Sequence, residues 1–462
     1  MNYLISALAD AIQDAGCTHL ANYPGFHSNE LHAALQSQIT SSDEKNAFAY
    51  AWGCSLAGAR AAVSFKNVGL NDAADAFLGA HFAGSLAGLV LILFDDCDIQ
   101  HSQSRIDVRP YFLIYGGMWL EPREVAEAYK LTKRAFDFSE KFQLPVVVRV
   151  TNILYDMGLH PAKWQRSKVQ PPAFEPIRRL PDISPHVVHP SEARRMEREL
   201  AVKNQAIEEF VETLYEDQPE ACSPVIICGA KRNVMASNPF RLFTLPVPRK
   251  ALQHRFSTLP LPELAVYEHG GIPFMQRQIA LSLVGDLPQP HMMYPSANFK
   301  PKYHNHDFME RLFCILRNRT NSVICGDLGG YTMDPERTLQ LCLCYGVSPA
   351  VAMGVADVLQ EKSQVYCITG DAAFLHSGQQ CLYEMAEREV SVSIFVLENG
   401  GALGTGGQHI SGDFSHVPDG VNFYEFDYTR VSNMEMNGFV DRLPIPGINL
   451  IVVHTHENEE EE

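Results

Sequence analysis

The chain has 462 residues, 46% hydrophobic and 20% charged, the mix of a globular protein long enough for two or three domains. A net charge of −17 argues against a nucleic-acid partner, and no apolar run approaches the ~20 residues that span a bilayer. Eleven cysteines show no disulfide-framework spacing, and Cys228, Cys325 and Cys367 read as small buried hydrophobes of a reducing compartment, so a cytoplasmic location is expected. Residues 1–15 mix polar and apolar positions as an amphipathic helix does, without the basic start or unbroken apolar core of a signal peptide. They lead through Thr18-His19-Leu20 to the loop Tyr23-Pro24-Gly25-Phe26-His27-Ser28, where Ser28 can cap a helix reaching Gln36. A polar run, 41–46, precedes a helix predicted over 47–62, whose small residues (Gly53, Ser55, Ala57, Gly58, Ala59) allow close backbone packing. Apolar runs at 62–65, 89–94 and 145–150 read as strands buried on both faces, with an amphipathic helix over 124–142. This alternation predicts a doubly wound α/β domain over residues 1–160.

Pro161, Pro171, Pro172, Pro176, Pro181, Pro185 and Pro190 then punctuate a linker, 161–190, that sustains neither helix nor central strand. A charged helix from Ser191 to about Asp217, strands at 224–228 and 264–267 and a helix over 273–283 predict a smaller α/β middle domain, 191–287. An irregular stretch, 288–306, leads to a third domain, 306–456, with a strand at 322–325, a helix over 348–359 and a strand at 449–453. Residues 457–462 are all acidic or nearly so and read as a solvated tail.

Within the third domain an apolar strand, 365–368, stops at Gly370-Asp371. A helix-like segment follows over 378–388, and a second apolar strand, 392–397, delivers Asn399 into a loop with glycines at 400, 401, 404, 406 and 407. Strand, helix and strand of this length form a parallel crossover unit, so Asp371 and Asn399 fall at the carboxyl ends of two parallel strands, where open α/β sheets bind ligands. A carboxylate, a side-chain amide and a backbone carbonyl are hard oxygen donors, suited to Mg²⁺ or Ca²⁺ that shares oxygens with a phosphate. The glycines let backbone approach such a ligand, and a helix starting after Asp371 would turn its positive end towards the anion. The same spacing also fits an Asp turn followed by a glycine-rich surface loop.

Gly370-Asp371 followed by Asn399 resembles the thiamine diphosphate motif. With His376-Ser377-Gly378 and Thr405-Gly406-Gly407-Gln408, the segment is similar to the alpha subunit of indolepyruvate ferredoxin oxidoreductase. Further blocks match in collinear order: Tyr23-Pro24-Gly25 with Ser28, Glu44-Lys45, Gly53 and residues 55–60, Lys66, Val68-Gly69-Leu70-Asn71, Asp95-Asp96, His101-Ser102, Leu120-Glu121-Pro122, Val266-Tyr267-Glu268 and residues 326–332. The resemblance implies a thiamine diphosphate-binding fold, with a pyrimidine-binding domain first, a transketolase C-terminal-like domain in the middle and a diphosphate-binding domain last. It implies Mg²⁺ (Ca²⁺ as a substitute) held by Asp371, Asn399 and the carbonyl of Gly401. Cofactor contacts would come from Tyr23, Pro24, Gly25, Gly69, Asn71, Gly326, Asp327, Tyr331, Gly370, Ala372, Ala373, His376, Leu403, Gly404 and Thr405.

The resemblance also places Glu44 against the pyrimidine N1′, where burial would raise its pKa; read from the residues alone, Glu44 is a first-turn helix acid after Asp43. His27 and His101 rank equally for proton transfer, and His376 lies close enough to Asp371 to bind diphosphate. Phe26-His27 and Asn67 replace the usual Thr-Pro and His, which implies an altered substrate pocket. Gly330 stands for a cysteine, a Cys-Pro-Gly-Cys block is absent, and no C-x₂-C-x₂-C-x₃-C spacing occurs, so no iron–sulfur cluster is expected. The expected activity is decarboxylation of a 2-oxo acid, aromatic ones such as indolepyruvate or phenylpyruvate included, with the product released as an aldehyde or joined to an acceptor carbonyl. The alternatives are an oxidoreductase component served by a separate electron-transfer or beta subunit, and a scaffold without activity. A homodimer with its site between the first and third domains is expected by analogy.

Overall fold

The computed structural model describes residues 2–37, 39–97, 106–174, 186–188, 192–216, 223–230, 238–256, 259, 264–268, 274–284, 307–319, 321–360, 364–402, 407–414, 416–428, 433–440, 442–443 and 446–455. The first part of the chain runs α1 (Tyr3–Asp14), β1 (His19–Asn22), α2 (Ser28–Ala34), α3 (Glu44–Leu56), β2 (Ala61–Lys66), α4 (Gly69–Ala83) and β3 (Leu89–Asp95). It continues with a 3₁₀ turn (Arg109–Tyr111), α5 (Phe112–Tyr115), β4 (Met118–Leu120), α6 (Val125–Phe142), β5 (Val146–Thr151) and α7 (Asn152–Met157). Its strands are short apolar runs buried on both faces, as parallel strands covered by helices must be. They pair in the order β1-β2-β3-β5-β4, all parallel.

The middle part contributes α8 (Ala193–Thr213), β6 (Val225–Cys228), β7 (Phe240–Leu242), β8 (Thr244–Leu245), α9 (Arg249–Phe256), β9 (Ala265–Tyr267) and α10 (Phe274–Val284). It builds a parallel three-stranded sheet, β7-β6-β9. It also lends β8 to the first sheet, antiparallel to β4, which the strand readings above did not anticipate.

The last part runs α11 (Asp307–Arg317), β10 (Ser322–Gly326), α12 (Ser348–Leu359), β11 (Gln364–Gly370), α13 (Asp371–Ala373), a π-helical turn (Phe374–Gly378), α14 (Cys381–Arg388), β12 (Val392–Glu398), β13 (Val421–Asp427), α15 (Asn433–Val440) and β14 (Ile448–His454). Its sheet has the order β10-β11-β12-β14-β13, parallel throughout. The architecture is α/β with parallel sheets, as expected from the alternating pattern.

Two boundaries differ from expectation for identifiable reasons. The helix expected over 47–62 starts at Glu44, because Asp43 caps it by accepting the Asn46 N–H at 2.6 Å, and ends at Leu56, just before Gly58 takes φ +95°. The segment expected to be helical from 378 begins four residues earlier, as the π turn.

One apolar core runs from the first sheet into the third through α3 and α12, and a second cluster, with Phe308, Leu312, Tyr366, Phe395 and Val453, covers part of the third sheet. The two helices cross at glycines. A Cβ on Gly354 would sit 3.0 Å from the Cys54 nitrogen and the Tyr50 carbonyl carbon, and one on Gly53 3.1 Å from the Val351 carbonyl carbon. Beside the crossing, Tyr50 donates to Asp357, and the Arg388 guanidinium lies 4.0 Å from the Tyr50 ring centre while donating to the Tyr50 hydroxyl at 3.0 Å. Among the described residues, no helix is long and apolar enough to cross a membrane.

Candidate active site

β11 and β12 pair with Gly370 opposite Leu397, so Asp371 and Asn399 leave neighbouring strands at the same edge of the sheet. Asp371 is 4% exposed and organises the turn opposite it: Oδ2 accepts the N–H groups of Asn399 and Gly400 at 3.2 and 3.1 Å, and Oδ1 accepts that of Ala372 at 2.6 Å. Burial pushes its pKa up, and these backbone donors pull the other way. Asn399 Oδ1 accepts the Gly401 N–H at 3.3 Å. Gly400 adopts φ +82°, and a Cβ on Gly401 would meet the Gln408 carbonyl oxygen at 2.6 Å, so the turn needs glycine at both positions. The loop closes again where Ala402 pairs with Gln408. A buried carboxylate, an amide oxygen and a glycine carbonyl on one rim fit a divalent cation that carries a diphosphate.

Several residues expected to touch cofactor hold this rim in place. Asp327 is fully buried. Its Oδ1 accepts the N–H groups of Val347 and Ser348, both at 3.0 Å, and its Oδ2 accepts the hydroxyls of Ser348 and Thr369 at 2.7 and 2.6 Å. The carboxylate thus caps α12 from the end of the neighbouring strand. Tyr331 is buried and its hydroxyl accepts the Gly370 N–H at 3.2 Å, fixing the residue before Asp371. Gly326 is packed against Leu339, which a Cβ would meet at 2.7 Å. His376 and Ser377 lie in the π turn, a local widening of the helix often found at functional sites. His376 Nδ1 is 3.0 Å from the Ser377 hydroxyl, and its ring meets Tyr345 edge-on at 5.4 Å. Ala372 and Ala373 form the short helix that follows Asp371.

Glu44 opens α3 and is half-buried. Burial raises its pKa, and the negative charges of Asp72 and Asp43 add to the rise while its own backbone N–H opposes it. A Cβ on Gly69 would stand 2.7 Å from the Glu44 carboxyl carbon, so glycine at the start of α4 makes room for this acid. The next two residues of α3 reach the third sheet: Lys45 Nζ donates to the Tyr345 carbonyl at 2.8 Å, and Asn46 Nδ2 to the Ser377 carbonyl at 3.2 Å. Ser41 donates to Glu384 at 3.1 Å. The first turn of the Glu44 helix is therefore tied to the loop and π turn that flank Asp371. The sequence reading assigned no role to Lys45, Asn46, Tyr345 or Asp72, because the contacts that define them span the chain and leave no local signature.

The first loop closes over the end of β2. The Tyr23 N–H donates to the Ser64 carbonyl at 3.2 Å, Ser28 N–H to Gly25 at 3.1 Å, and a Cβ on Gly25 would meet the Lys66 Cβ at 3.0 Å. Pro24 lies between them, and Phe26 takes φ +48°. His27 Nδ1 is 2.6 Å from Glu30 and its ring stacks on Tyr155, contacts made within the first part of the chain. Asn71 accepts the Tyr111 hydroxyl at 3.0 Å. His101, Leu403, Gly404 and Thr405 lie outside the described residues.

Residues 327–439 match the family described as thiamine pyrophosphate enzyme, C-terminal TPP binding domain. Over 87% of its length the chain is 25% identical to the indolepyruvate oxidoreductase subunit IorA of Archaeoglobus fulgidus, covering 75% of that protein. The IorA subunit of Thermococcus kodakarensis is 36% identical over 31% of this chain and 24% of its own length. Among solved structures, a thiamine diphosphate-dependent 4-hydroxybenzoylformate decarboxylase from Rhodococcus jostii RHA1 shares the fold with a TM-score of 0.55 at 15% identity, covering 99% of this chain and 100% of its own. A benzoylformate decarboxylase from Polynucleobacter necessarius gives a TM-score of 0.51 at 13% identity, over 99% of each chain. The chain is thus similar to IorA subunits along most of its length, shares the fold of thiamine diphosphate-dependent enzymes, and matches a thiamine pyrophosphate-binding domain in its last third.

Proposed function

We propose that this protein binds thiamine diphosphate through Mg²⁺ and decarboxylates a 2-oxo acid, releasing an aldehyde or joining the acyl unit to an acceptor carbonyl. The observation that carries the reading is the placement of Glu44: its helix is tied by Lys45 and Asn46 to Tyr345 and Ser377, beside the rim where Asp371 and Asn399 leave adjacent strands. Asp371, Asn399 and the Gly401 carbonyl would hold the cation, and His376 the diphosphate. When bound, thiamine diphosphate supplies a nucleophilic carbon and an electron sink for loss of CO₂. Glu44, its pKa raised by burial and by the charges of Asp72 and Asp43, would share a proton with the pyrimidine ring nitrogen. His27, with Glu30 fixing one ring nitrogen, would move the proton, and His101 is the other candidate. The aromatic rings of Phe26, His27 and Tyr155 suit a substrate with an aromatic side chain.

The kinship with IorA subunits favours a second reading, an oxidoreductase component that passes electrons to a separate subunit. Purified protein loaded with Mg²⁺ and thiamine diphosphate, given a panel of 2-oxo acids with and without an artificial electron acceptor, separates the two. CO₂ release without acceptor supports the first reading; CO₂ release that requires acceptor supports the second. No cofactor binding refutes both. The proposal extends to a homodimer in the cytoplasm, the former checked by light scattering.

A further inference from the structure

Six charged side chains meet around the carboxyl ends of β3, β4 and β5: Asp95, Asp107, Arg109, Glu121, Arg149 and, from the middle part, Glu268. Arg149 Nε donates to Asp95 at 2.6 Å, and its Nη1 lies 3.1 Å from Glu121. Arg109 is fully buried and grips Asp107 through Nε and Nη2 at 2.9 and 2.6 Å. It reaches Glu268 at 3.1 Å, with its guanidinium 5.3 Å from the Phe274 ring centre. Glu268 in turn accepts the N–H groups of Met275 and Gln276 at 2.8 and 3.1 Å, capping the start of α10. Arg109 therefore fastens the middle part of the chain to this end of the first sheet. Arg109 is fully buried and the Glu268 side chain only 11% exposed, so the guanidinium depends on these carboxylates rather than on water.

The segment that carries Arg109 is also pinned to the turn that starts α4. Asn67 Nδ2 donates to the Ile106 carbonyl at 2.7 Å, and the Tyr111 hydroxyl donates to Asn71 Oδ1 at 3.0 Å. The other polar atom of Asn67, Oδ1, is buried with no partner among the described residues, so the bond to Ile106 is what orients this side chain. Between the two pins lies Gly69, the residue that gives Glu44 its space.

We propose that Arg109 is a positioning residue: through the strap 106–111, the seat of the middle part on the first sheet sets where the turn 67–71, and with it Glu44, stands. The proposal rests on the reading of Glu44 as the cofactor's acid, and it makes the middle part a regulator of that site. Glu268→Gln and Tyr111→Phe loosen opposite ends of the strap, and neither residue is placed in contact with Glu44. Both variants are expected to speed amide hydrogen exchange over 67–71 by roughly tenfold without cofactor present. Both should lower kcat by about tenfold while the Kd for thiamine diphosphate changes less than about twofold. The double variant should be no worse than the more affected single, since both cut one strap. Unchanged exchange over 67–71, losses that multiply in the double variant, or a lower melting temperature with kcat intact would each overturn it. If the wild-type protein binds no thiamine diphosphate, the reading of Glu44 fails, and the exchange measurement still decides whether the strap couples the two regions.

Discussion

Replacing Gly354 by alanine tests the helix crossing that brings Glu44 and Asp371 into one protein face. Inside a helix, Gly to Ala ordinarily stabilises by about 0.8–1.0 kcal/mol. At Gly354 the new methyl would collide with the Tyr50 carbonyl oxygen and lie 3.0 Å from the Tyr50 carbonyl carbon and the Cys54 nitrogen, all backbone atoms that cannot rotate away. Unstrained contacts sit near 3.5–4.0 Å, so α3 and α12 must part by roughly 1 Å or more. Overpacking costs about 1–3 kcal/mol, and a collision with rigid backbone belongs to the upper half of that range, which reverses the sign and leaves a net loss of about 1–2 kcal/mol. Gly438 in α15 is the control: a Cβ there meets nothing within 4 Å, so Gly438→Ala keeps the whole helical gain. In thermal unfolding, Gly354→Ala is expected to melt about 2–8 °C below the parent and Gly438→Ala about 1–4 °C above it. A Gly354→Ala protein as stable as the parent, or more so, would refute close backbone packing at this crossing.

Glu44→Gln should leave thiamine diphosphate binding intact and reduce turnover by roughly 10²–10⁴, measured by CO₂ release. Because folding raises the Glu44 pKa, its carboxylate costs stability as pH rises above the ordinary value of 4.5; Glu44→Gln should gain stability relative to the parent between pH 4 and pH 8 in matched melts. Asp371→Ala removes the acceptor of the Asn399 and Gly400 N–H groups, and should both loosen that turn in hydrogen exchange and abolish Mg²⁺-dependent cofactor retention on gel filtration. At His454 burial disfavours the charge, but hydrogen bonds from both ring nitrogens to Glu398 and Glu425 outweigh it and raise the pKa above 6.5. That stabilisation is full below pH 6.5 and lost as pH rises through the folded pKa, so His454→Gln should flatten the fall in melting temperature from pH 6 to pH 9.

Buried parallel strands are legible because both faces need apolar side chains, and β10, β11, β12 and β14 stand as mainly apolar runs in the sequence. β13 escaped notice: at the sheet edge its VNFYEFD mixes aromatic and acidic residues, and none of its residues is fully buried. α4 was hidden because Gly69, Asn71 and Asp72 at its start have the composition of a turn. The Asp371–Asn399 pair was legible since a single crossover unit sets its geometry. The bond from Lys45 to Tyr345 was not, because 300 residues separate the partners. The contacts of Asp327 were equally hidden: only the fold brings the hydroxyls of Ser348 and Thr369 to its carboxylate.

β8 crosses from the middle part to pair with β4, with Trp119 opposite Leu245 and Leu120 opposite Thr244. A protein truncated at residue 160 would lose that cover and present the unpaired N–H and C=O groups of β4, next to buried Met118, Trp119 and Leu120, to its neighbours in solution. Such a fragment would self-associate through the bared rim, whereas one extended through Leu245 carries its own guard strand.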